Sequence, residues 1–271
     1  MNQARGEIAG PTLTVIIPVF NEAATLEECL RQVVGTPYDK QILIVDDAST
    51  DGTPALLERL RAARPVVVLR HDGNRGKGAA IRTALPFATG RLTIIQDGDL
   101  ELCPGDYPRL VEPLLTEEAD CVIGSRFAGA ANRSLSRLGV SVLNRCVRVL
   151  YGMRLTDEAC CYKVLTTETL RRMNLQCERF EFCPEVVAKA CRMGLRIKEV
   201  PVSYHPRRVA DGKKLRYRDG IEAVRTLWRW RHWIPDRCKP QPLPEAGDAV
   251  VSVAGRHCSD EPFPIVSGAR S

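Results

Sequence analysis

Residues Leu92-Thr93-Ile94-Ile95-Gln96-Asp97-Gly98-Asp99-Leu100-Glu101 join an apolar stretch directly to three carboxylates at alternate positions. Alternate residues of an extended chain face the same side, so Asp97, Asp99 and Glu101 are expected to converge on one ion. Carboxylate oxygens suit Mg²⁺ or Mn²⁺, and a site with few protein ligands leaves room for substrate phosphates. The stretch therefore predicts a metal site at a strand end, although a polar turn after a buried strand would have the same sequence.

The same succession of an apolar run and polar residues recurs through the first half of the chain and predicts an α/β fold. Strands are expected at Leu13–Val19, Ile42–Val45, Val66–Leu69, Leu92–Ile95 and Cys121–Ile123, and helices at Ala23–Val34, Thr53–Ala63, Gly78–Ala88 and Tyr107–Leu115. This alternation favours a mostly parallel central sheet flanked by helices. The polar segments 18–22, 46–51 and 97–101 should then meet at the carboxyl edge of the sheet, where ligands bind in such folds.

The second half of the chain is less regular. Helices are expected at Leu135–Tyr151 and Glu181–Met193, followed by a strand at Ile197–Val202. The basic, tryptophan-rich segment Ile221–Trp233 is either a helix lying in a membrane interface or a helix whose apolar stripe packs on the domain. We expect a flexible segment 1–11, one domain over 12–234 with halves 12–126 and 127–234, and a disordered tail over 235–271.

Composition restricts the class of protein. The chain has 271 residues, of which 44% are hydrophobic, and a net charge of +6. It contains no apolar run long enough to span a bilayer and no secretory signal at its start, so we expect a cytoplasmic protein, at most peripheral to the membrane. Its 11 cysteines form no Cys-x-x-Cys pair, which favours reduced thiols over zinc ligands.

Four ordered segments resemble the family 2 glycosyltransferases, which have the GT-A fold. They are Pro18-Val19-Phe20-Asn21-Glu22, Asp46-Asp47-Ala48-Ser49-Thr50-Asp51-Gly52-Thr53, Asn74-Arg75-Gly76-Lys77-Gly78-Ala79 and Asp97-Gly98-Asp99. Later segments are similar to the polyprenyl-phosphate sugar synthases, the group of dolichyl-phosphate mannose and glucose synthases. These are Gly124-Ser125-Arg126-Phe127, Leu155-Thr156-Asp157, Cys161-Tyr162-Lys163, Arg179-Phe180-Glu181-Phe182 and Val200-Pro201-Val202-Ser203-Tyr204. The resemblance covers about residues 12–231. The sequence departs from the pattern of many relatives in that we expect no membrane-spanning helices in its C-terminal segment.

The resemblance implies a metal-dependent, inverting transfer of glucose or mannose from a UDP- or GDP-hexose to a polyprenyl phosphate such as dolichyl or undecaprenyl phosphate. It implies Mg²⁺ or Mn²⁺ as cofactor and no nucleic-acid partner. By position in the motifs, the expected substrate-binding residues are Pro18, Val19, Asn21, Glu22, Asp47, Lys77, Asp97 and Ser141. The expected metal ligands are Asp97, Asp99 and Glu101, and the expected catalytic residues are Asp99, Arg126 and Arg137.

The chemistry of the acceptor affects which other residues are needed. The second pKa of a phosphate is near 6, so a phosphate acceptor is largely ionised at neutral pH and needs positive charge more than a general base. The forked donors of Arg126 and Arg137 suit that task. Glu181 or Glu185 would serve as base for a hydroxyl acceptor. The glycine-rich loop at 74–78 precedes a helix, so its amides are expected to face an anion.

Three other functions fit parts of the pattern. A family 2 enzyme with a hydroxyl acceptor, either a polysaccharide or a small molecule, would share the donor site. A nucleotidyltransferase of related fold would carry a glycine-rich basic loop after the first strand, where this chain has Pro18–Glu22. A nucleotide-sugar binding protein without turnover would have less need of Asp97 and Asp99.

Overall fold

The computed structural model describes residues 10–128, 135–207, 217–235 and 252–253. These residues form a central sheet flanked by helices, which confirms the predicted α/β class. No helix in these ranges is both long and apolar enough to cross a lipid bilayer.

The sheet is mostly parallel. Its strands are β1 (Leu13–Val19), β2 (Lys40–Asp46), β3 (Val66–Arg70), β4 (Leu92–Ile95), β5 (Cys121–Ser125), β6 (Lys163–Thr166), β7 (Ile197–Pro201) and β8 (Ser252–Val253). They lie in the order β7-β5-β6-β4-β1-β2-β3-β8. Strands β4, β1, β2 and β3 are parallel neighbours, whereas β6 runs antiparallel to β4 and β5. The carboxyl ends of β4, β1 and β2 therefore lie side by side.

Helices cover the sheet through apolar stripes. They are α1 (Leu26–Val34), α2 (Thr53–Ala63), α3 (Lys77–Ala84), α4 (Tyr107–Leu115), α5 (Leu135–Tyr151), α6 (Thr167–Arg172), α7 (Phe182–Arg192) and α8 (Tyr217–Arg229). In α1 the buried residues are Leu26, Cys29, Leu30 and Val33, the spacing of one helical face. The same physical rule gave the predicted bounds of α2, α4 and α5, which the structure reproduces.

Three of these strands and helices were missed by the sequence analysis, namely β6, α6 and β8. Strand β6 is only four residues long and begins with Lys163, a residue type that is rarely buried. Here Lys163 is 1% exposed, and its ammonium group donates to the carbonyl oxygens of Glu158 (2.8 Å) and Cys160 (2.5 Å). Backbone acceptors thus compensate the buried charge and allow the strand to sit inside the sheet.

The tail contributes one short strand. Ser252–Val253 pair antiparallel with Val67–Val68 of β3, whose outer edge would otherwise lack a strand partner. These two residues differ from the predicted disorder of 235–271. The rest of that segment, and the predicted flexible residues 1–9, lie outside the described ranges.

The buried side chains of the tryptophan-rich segment support the interpretation in which its helix packs on the domain. Ala223 and Leu227 are buried where α8 packs against α5 and α7, and Trp230 stacks 3.9 Å from the Lys189 ammonium group. Trp228 and Ile221, in contrast, are 56% and 49% exposed. The helix therefore anchors on the domain through one face and presents apolar side chains to the surroundings through another.

Candidate active site

The three predicted polar segments meet at the carboxyl edge of the sheet. The backbone N–H of Asn21 donates to Ser49 Oγ (2.9 Å), and Asn21 Oδ1 accepts from the backbone N–H of Thr50 (2.8 Å). Thr25 Oγ1 donates to the carbonyl oxygen of Gly98 (2.8 Å), which joins the first segment to the acidic one. Asn21 has a φ of 55°, a left-handed conformation that asparagine tolerates well. Hydrogen bonds between residues distant in sequence thus hold the segments after β1, β2 and β4 together.

Asp47 holds a neighbouring loop in place. Its Oδ1 lies 2.7 Å from His71 Nδ1 and accepts the backbone N–H of Arg75 (2.8 Å), while its Oδ2 accepts that of Gly76 (2.7 Å). Burial opposes ionisation of this carboxyl, but the bonds from His71 and the two amides outweigh it and lower its pKa. Because a carboxylate accepts up to about four hydrogen bonds, one further donor, such as a nucleotide base, would still find an acceptor here.

Four amides of the glycine-rich loop are bonded within the protein, so they do not face a ligand anion as we expected. The N–H groups of Arg75 and Gly76 bind Asp47, and those of Gly78 and Ala79 donate to the carbonyl oxygens of residues 179 and 178, each over 2.9 Å. The glycines serve close packing instead. Gly76 has a φ of 95°, and a Cβ added there would lie 2.4 Å from the Glu178 carbonyl oxygen.

Lys77 is the residue of that loop that reaches the acidic turn. Its Nζ lies 2.5 Å from Asp97 Oδ1 and 3.0 Å from Cys161 Sγ. Burial opposes the charge of the ammonium group, but the Asp97 carboxylate outweighs it and raises the pKa of Lys77. Lys77 therefore carries a positive charge next to the predicted metal ligands.

The acidic segment is a turn rather than an extended strand end. Strand β4 ends at Ile95, Leu100 has a φ of 60°, and Asp99 Oδ1 accepts the backbone N–H of Glu101 (3.0 Å). The alternate-residue argument was therefore wrong for this segment. Within the described ranges, no group of three or more His, Cys, Asp or Glu side chains is arranged to hold one metal ion, and Asp97, Asp99 and Glu101 do not converge.

The electrostatics of the turn nevertheless suit a divalent cation. Burial, together with the charges of Asp97 and Glu101, raises the pKa of Asp99 to about 7. A cation placed among these oxygens would relieve the repulsion that opposes ionisation of Asp99. Carboxylate oxygens are also the donors that Mg²⁺ and Mn²⁺ prefer, so these residues fit the predicted cofactor.

Arg207 is a site residue that the sequence analysis did not single out. Its guanidinium group donates to Glu22 Oε2 (2.7 Å) and to the carbonyl oxygen of Asp99 (2.9 Å), and its backbone N–H donates to Glu101 Oε1 (2.9 Å). The only sequence signal was its position at the start of a basic stretch in the second half. Arg207 brings a second positive charge to the acidic turn, beside that of Lys77.

Arg126 is held by a buried ion pair. Its Nε and Nη2 donate to the two oxygens of Asp157 (2.7 and 2.8 Å), and its backbone N–H also donates to Asp157 (2.9 Å). The guanidinium carbon lies 5.2 Å from the centre of the Tyr204 ring, a cation–π distance. Asp157 thus fixes the orientation of Arg126 and leaves part of its donor fork unused by that pair.

The other residues considered for the site lie on β1, α5 and α7. Pro18 and Val19 end β1, and the Val19 side chain would lie 3.3 Å from a Cβ added at Gly98. Ser141 is exposed on α5, whereas the side chain of Arg137 lies outside the described residues. Glu185 is 1% exposed and accepts from Lys189 and from the backbone of Gln176 and Cys177, so it is not placed to act as a general base.

A family model supports the assignment of the chain. Residues 14–165 match the model described as glycosyl transferase family 2, which is more than half of the chain. This range contains the segments after β1, β2 and β4, the glycine-rich loop, and the Arg126–Asp157 pair. The resemblance drawn from the motifs is therefore confirmed.

Two curated relatives match over most of the chain. The low-salt glycan biosynthesis hexosyltransferase Agl6 of Haloferax volcanii is 28% identical over 80% of this chain, which spans 53% of that protein. The undecaprenyl-phosphate mannosyltransferase of Micrococcus luteus is 31% identical over 79% of this chain and 92% of its own length. The chain thus spans about half of the first relative and most of the second.

A solved structure shows the same fold. Glucosyl-3-phosphoglycerate synthase from Mycobacterium tuberculosis, crystallised with Mn²⁺, UDP and glucosyl-3-phosphoglycerate, superposes with a TM-score of 0.60 at 22% identity. The match covers 84% of this chain and 82% of that one, which confirms the GT-A fold. The chain belongs to glycosyl transferase family 2.

Proposed function

We propose that this glycosyltransferase transfers a hexose, glucose or mannose, from a nucleoside-diphosphate sugar to a polyprenyl phosphate with the aid of Mg²⁺ or Mn²⁺. The observation that carries the proposal is the acidic turn of Asp97 and Asp99 at the strand edge, flanked by Lys77 and Arg207. The similarity to an undecaprenyl-phosphate mannosyltransferase and to an undecaprenyl-phosphate 4-deoxy-4-formamido-L-arabinose transferase supports the acceptor class. Residues 12–126 would bind the donor, and residues 127–234 would bind the acceptor.

Asp97 and Asp99 would hold the metal ion, and Glu101 would add negative charge beside them. When bound, the ion supplies Lewis-acid stabilisation of the charge that develops on the departing diphosphate. Lys77 lies within 2.5 Å of Asp97 and would bind the same diphosphate. Asn21, Glu22 and Asp47 would position the nucleoside, because their segments line the adjacent strand ends.

The acceptor needs charge compensation rather than a base. A phosphate monoester is largely ionised at neutral pH, so it attacks without losing a proton to the protein. Arg126, oriented by Asp157, would bind this phosphate through its remaining N–H groups, and Arg137 and Ser141 would assist in binding it. The burial and pairing of Glu185 agree with a reaction that uses no general base.

A transfer assay with several acceptors tests this function directly. Uridine and guanosine diphosphate hexoses are incubated with Mn²⁺ and a short polyprenyl phosphate, and formation of the sugar lipid is followed by mass spectrometry. Product with the polyprenyl phosphate is expected. Product only with phosphoglycerate or with a polysaccharide would identify a hydroxyl acceptor, and nucleotide-sugar binding without any turnover would identify a binding protein.

Asp99→Asn is expected to lower turnover by about 100-fold or more, because it removes a carboxylate that would hold the metal ion. That ion would offset the charge on the departing diphosphate. Thermal stabilisation by Mn²⁺ plus nucleotide should disappear with it. Stability without ligand should not fall, because the substitution also relieves the repulsion between Asp97 and Asp99. Asp72→Asn, at an exposed position after β3, is the matched control and should retain both signals. Retained metal-dependent stabilisation in Asp99→Asn would contradict the assigned site.

We also propose that an exposed apolar surface on α5 and α8 contacts the cytoplasmic face of the membrane. On α5, Val142 and Val149 are 53% and 72% exposed, and on α8 Ile221 and Trp228 are 49% and 56% exposed. Members of each pair are seven residues apart, so they share a helix face. Among the described side chains, the exposed arginines of the same helices are Arg145, Arg148, Arg218, Arg225 and Arg229. Apolar side chains with arginine beside them suit an interface that contains anionic lipid.

Vesicle flotation tests this contact. Replacing both Val149 and Trp228 by Ser should reduce binding to phosphatidylglycerol vesicles by more than about tenfold, since each buried apolar side chain contributes ~1.5–3 kcal/mol. Leu115→Ser, at an exposed apolar position on α4, should leave binding unchanged. Equal flotation of the double variant and the unmodified protein would remove this surface from the proposal.

A further inference from the structure

A short segment before Arg207 crosses the acidic turn. Tyr204 forms an antiparallel bridge with Leu102, and the backbone N–H of His205 donates to the Glu101 carbonyl oxygen (2.9 Å). The backbone N–H of Arg207 then donates to Glu101 Oε1. The backbone alone therefore fixes this segment against Glu101, independently of what the Arg207 side chain does.

The side chain of Arg207 turns back into the acidic turn. Its guanidinium group bonds Glu22 Oε2 and the Asp99 carbonyl oxygen, and it also lies 3.4 Å from Thr25 Oγ1. The side chains of Arg207 and Glu22 are only 17% and 10% exposed, so water screens this charge poorly. The negative groups that act on the Arg207 charge are Glu22, Asp99 and Glu101. Arg207 is consequently an internal counter-ion for these carboxylates.

We infer that Arg207 is a positioning residue that sets the metal affinity of the acidic turn, because its guanidinium group and the divalent cation compete for the same negative charge. This inference rests on the metal site proposed above. A cation bound at Asp97 and Asp99 would lie near the Arg207 charge, and like charges repel strongly where water is largely excluded. Metal binding then weakens the bond from Arg207 to Glu22, and loss of the Arg207 charge strengthens metal binding.

Mn²⁺ binding in the absence of nucleotide tests the inference. Free Mn²⁺ is measured by its electron paramagnetic resonance signal during titration of the protein. Arg207→Ala should bind Mn²⁺ on the order of tenfold more tightly than the unmodified protein, within the usual range of coupling between two binding events. The backbone bond to Glu101 persists in this variant, so the acidic turn keeps that support.

Three further variants make the result specific. Arg207→Gln keeps polar donors but removes the charge, so it should also bind more tightly, whereas Arg207→Lys should stay within about twofold of the unmodified protein. Arg196→Ala removes an arginine from an exposed pair with Asp120 and should have no effect. A merely structural role for Arg207 would predict weaker binding in the Ala and Gln variants, and that result would overturn the inference.

The failure of the inference can be told apart from the failure of the proposed metal site. Equal Mn²⁺ affinity of Arg207→Ala and the unmodified protein, with binding lost in Asp99→Asn, would overturn the role of Arg207 and retain the metal site. Absence of Mn²⁺ binding in all variants, or binding that Asp99→Asn leaves unchanged, would overturn both.

Discussion

Asp157→Asn is expected to lower the free energy of unfolding by about 3–5 kcal/mol, the usual cost of breaking a buried ion pair from one side. Asp157 is fully buried, and three N–H groups of Arg126 point at its two oxygens. The substitution leaves the charge of Arg126, whose side chain is 15% exposed, without its partner. Urea denaturation followed by circular dichroism measures the loss, which is a large part of the stability of an ordinary domain.

Asp120→Asn provides a matched control. Asp120 also accepts from the Nε, the Nη2 and the backbone N–H of one arginine, Arg196, at 2.8 to 2.9 Å. The two side chains of this pair are 38% and 59% exposed, so their interaction is largely screened by water. We expect a loss below about 1 kcal/mol. Equal losses for the two variants would show that hydrogen-bond geometry, rather than burial of charge, determines the stability of these pairs.

Structural features that depend on local sequence pattern could be predicted from the sequence. Strands β1 and β4 were predicted with their observed ends because each is a short apolar run bounded by polar residues. The helix Leu135–Tyr151 was predicted because its apolar residues recur at helical spacing. The meeting of three polar segments at one edge also followed from sequence, since parallel strands place their carboxyl ends together.

Structural features that depend on contacts between residues distant in sequence could not be predicted in this way. The Arg207 backbone binds Glu101 across 106 residues of sequence, and no local pattern marks that bond. The amides after Asn74 looked available to an anion, but they are used by Asp47 and by a loop about 100 residues later. Local rules therefore locate the site, whereas tertiary contacts decide which of its groups remain available to a ligand.

The acidic turn illustrates the limit of periodicity arguments. Three alternate carboxylates after a strand suggested an extended chain, yet Leu100 adopts a left-handed conformation and turns the segment away from that geometry. The residue types still define the chemistry, because Asp97 and Asp99 interact electrostatically whichever conformation joins them. Composition at a strand end thus predicted the kind of ligand better than it predicted the arrangement of the donors.

Glu158→Gln is expected to stabilise the protein at pH 8 and to remove the part of the pH dependence of stability that the Glu158 carboxyl contributes. The Glu158 carboxyl is fully buried, and its two oxygens accept no hydrogen bond from any described residue. Burial raises its pKa from 4.5 to about 7, although the charge of Lys163 acts in the opposite direction. The amide of glutamine has nearly the shape of the protonated acid and carries no charge at any pH.

The sign of the pH effect follows from proton binding. Between pH 4.5 and about 7 the folded protein holds a proton on Glu158 that the unfolded chain has lost, so stability falls as pH rises through this window. At ~1.4 kcal/mol per pKa unit, the contribution of Glu158 that is present below pH 4.5 and lost by pH 8 is about 3 kcal/mol. Asp99, whose pKa is also raised to about 7, contributes in the same window in both proteins. In urea denaturation, the loss of stability from pH 5 to pH 8 should therefore be smaller for Glu158→Gln than for the unmodified protein by most of the Glu158 contribution. Glu58→Gln, at a side chain that is 67% exposed, should retain the full dependence on pH. If Glu158→Gln kept the same difference between the two pH values, the buried Glu158 carboxyl would already be ionised in the folded protein at pH 5, with Lys163 compensating its charge.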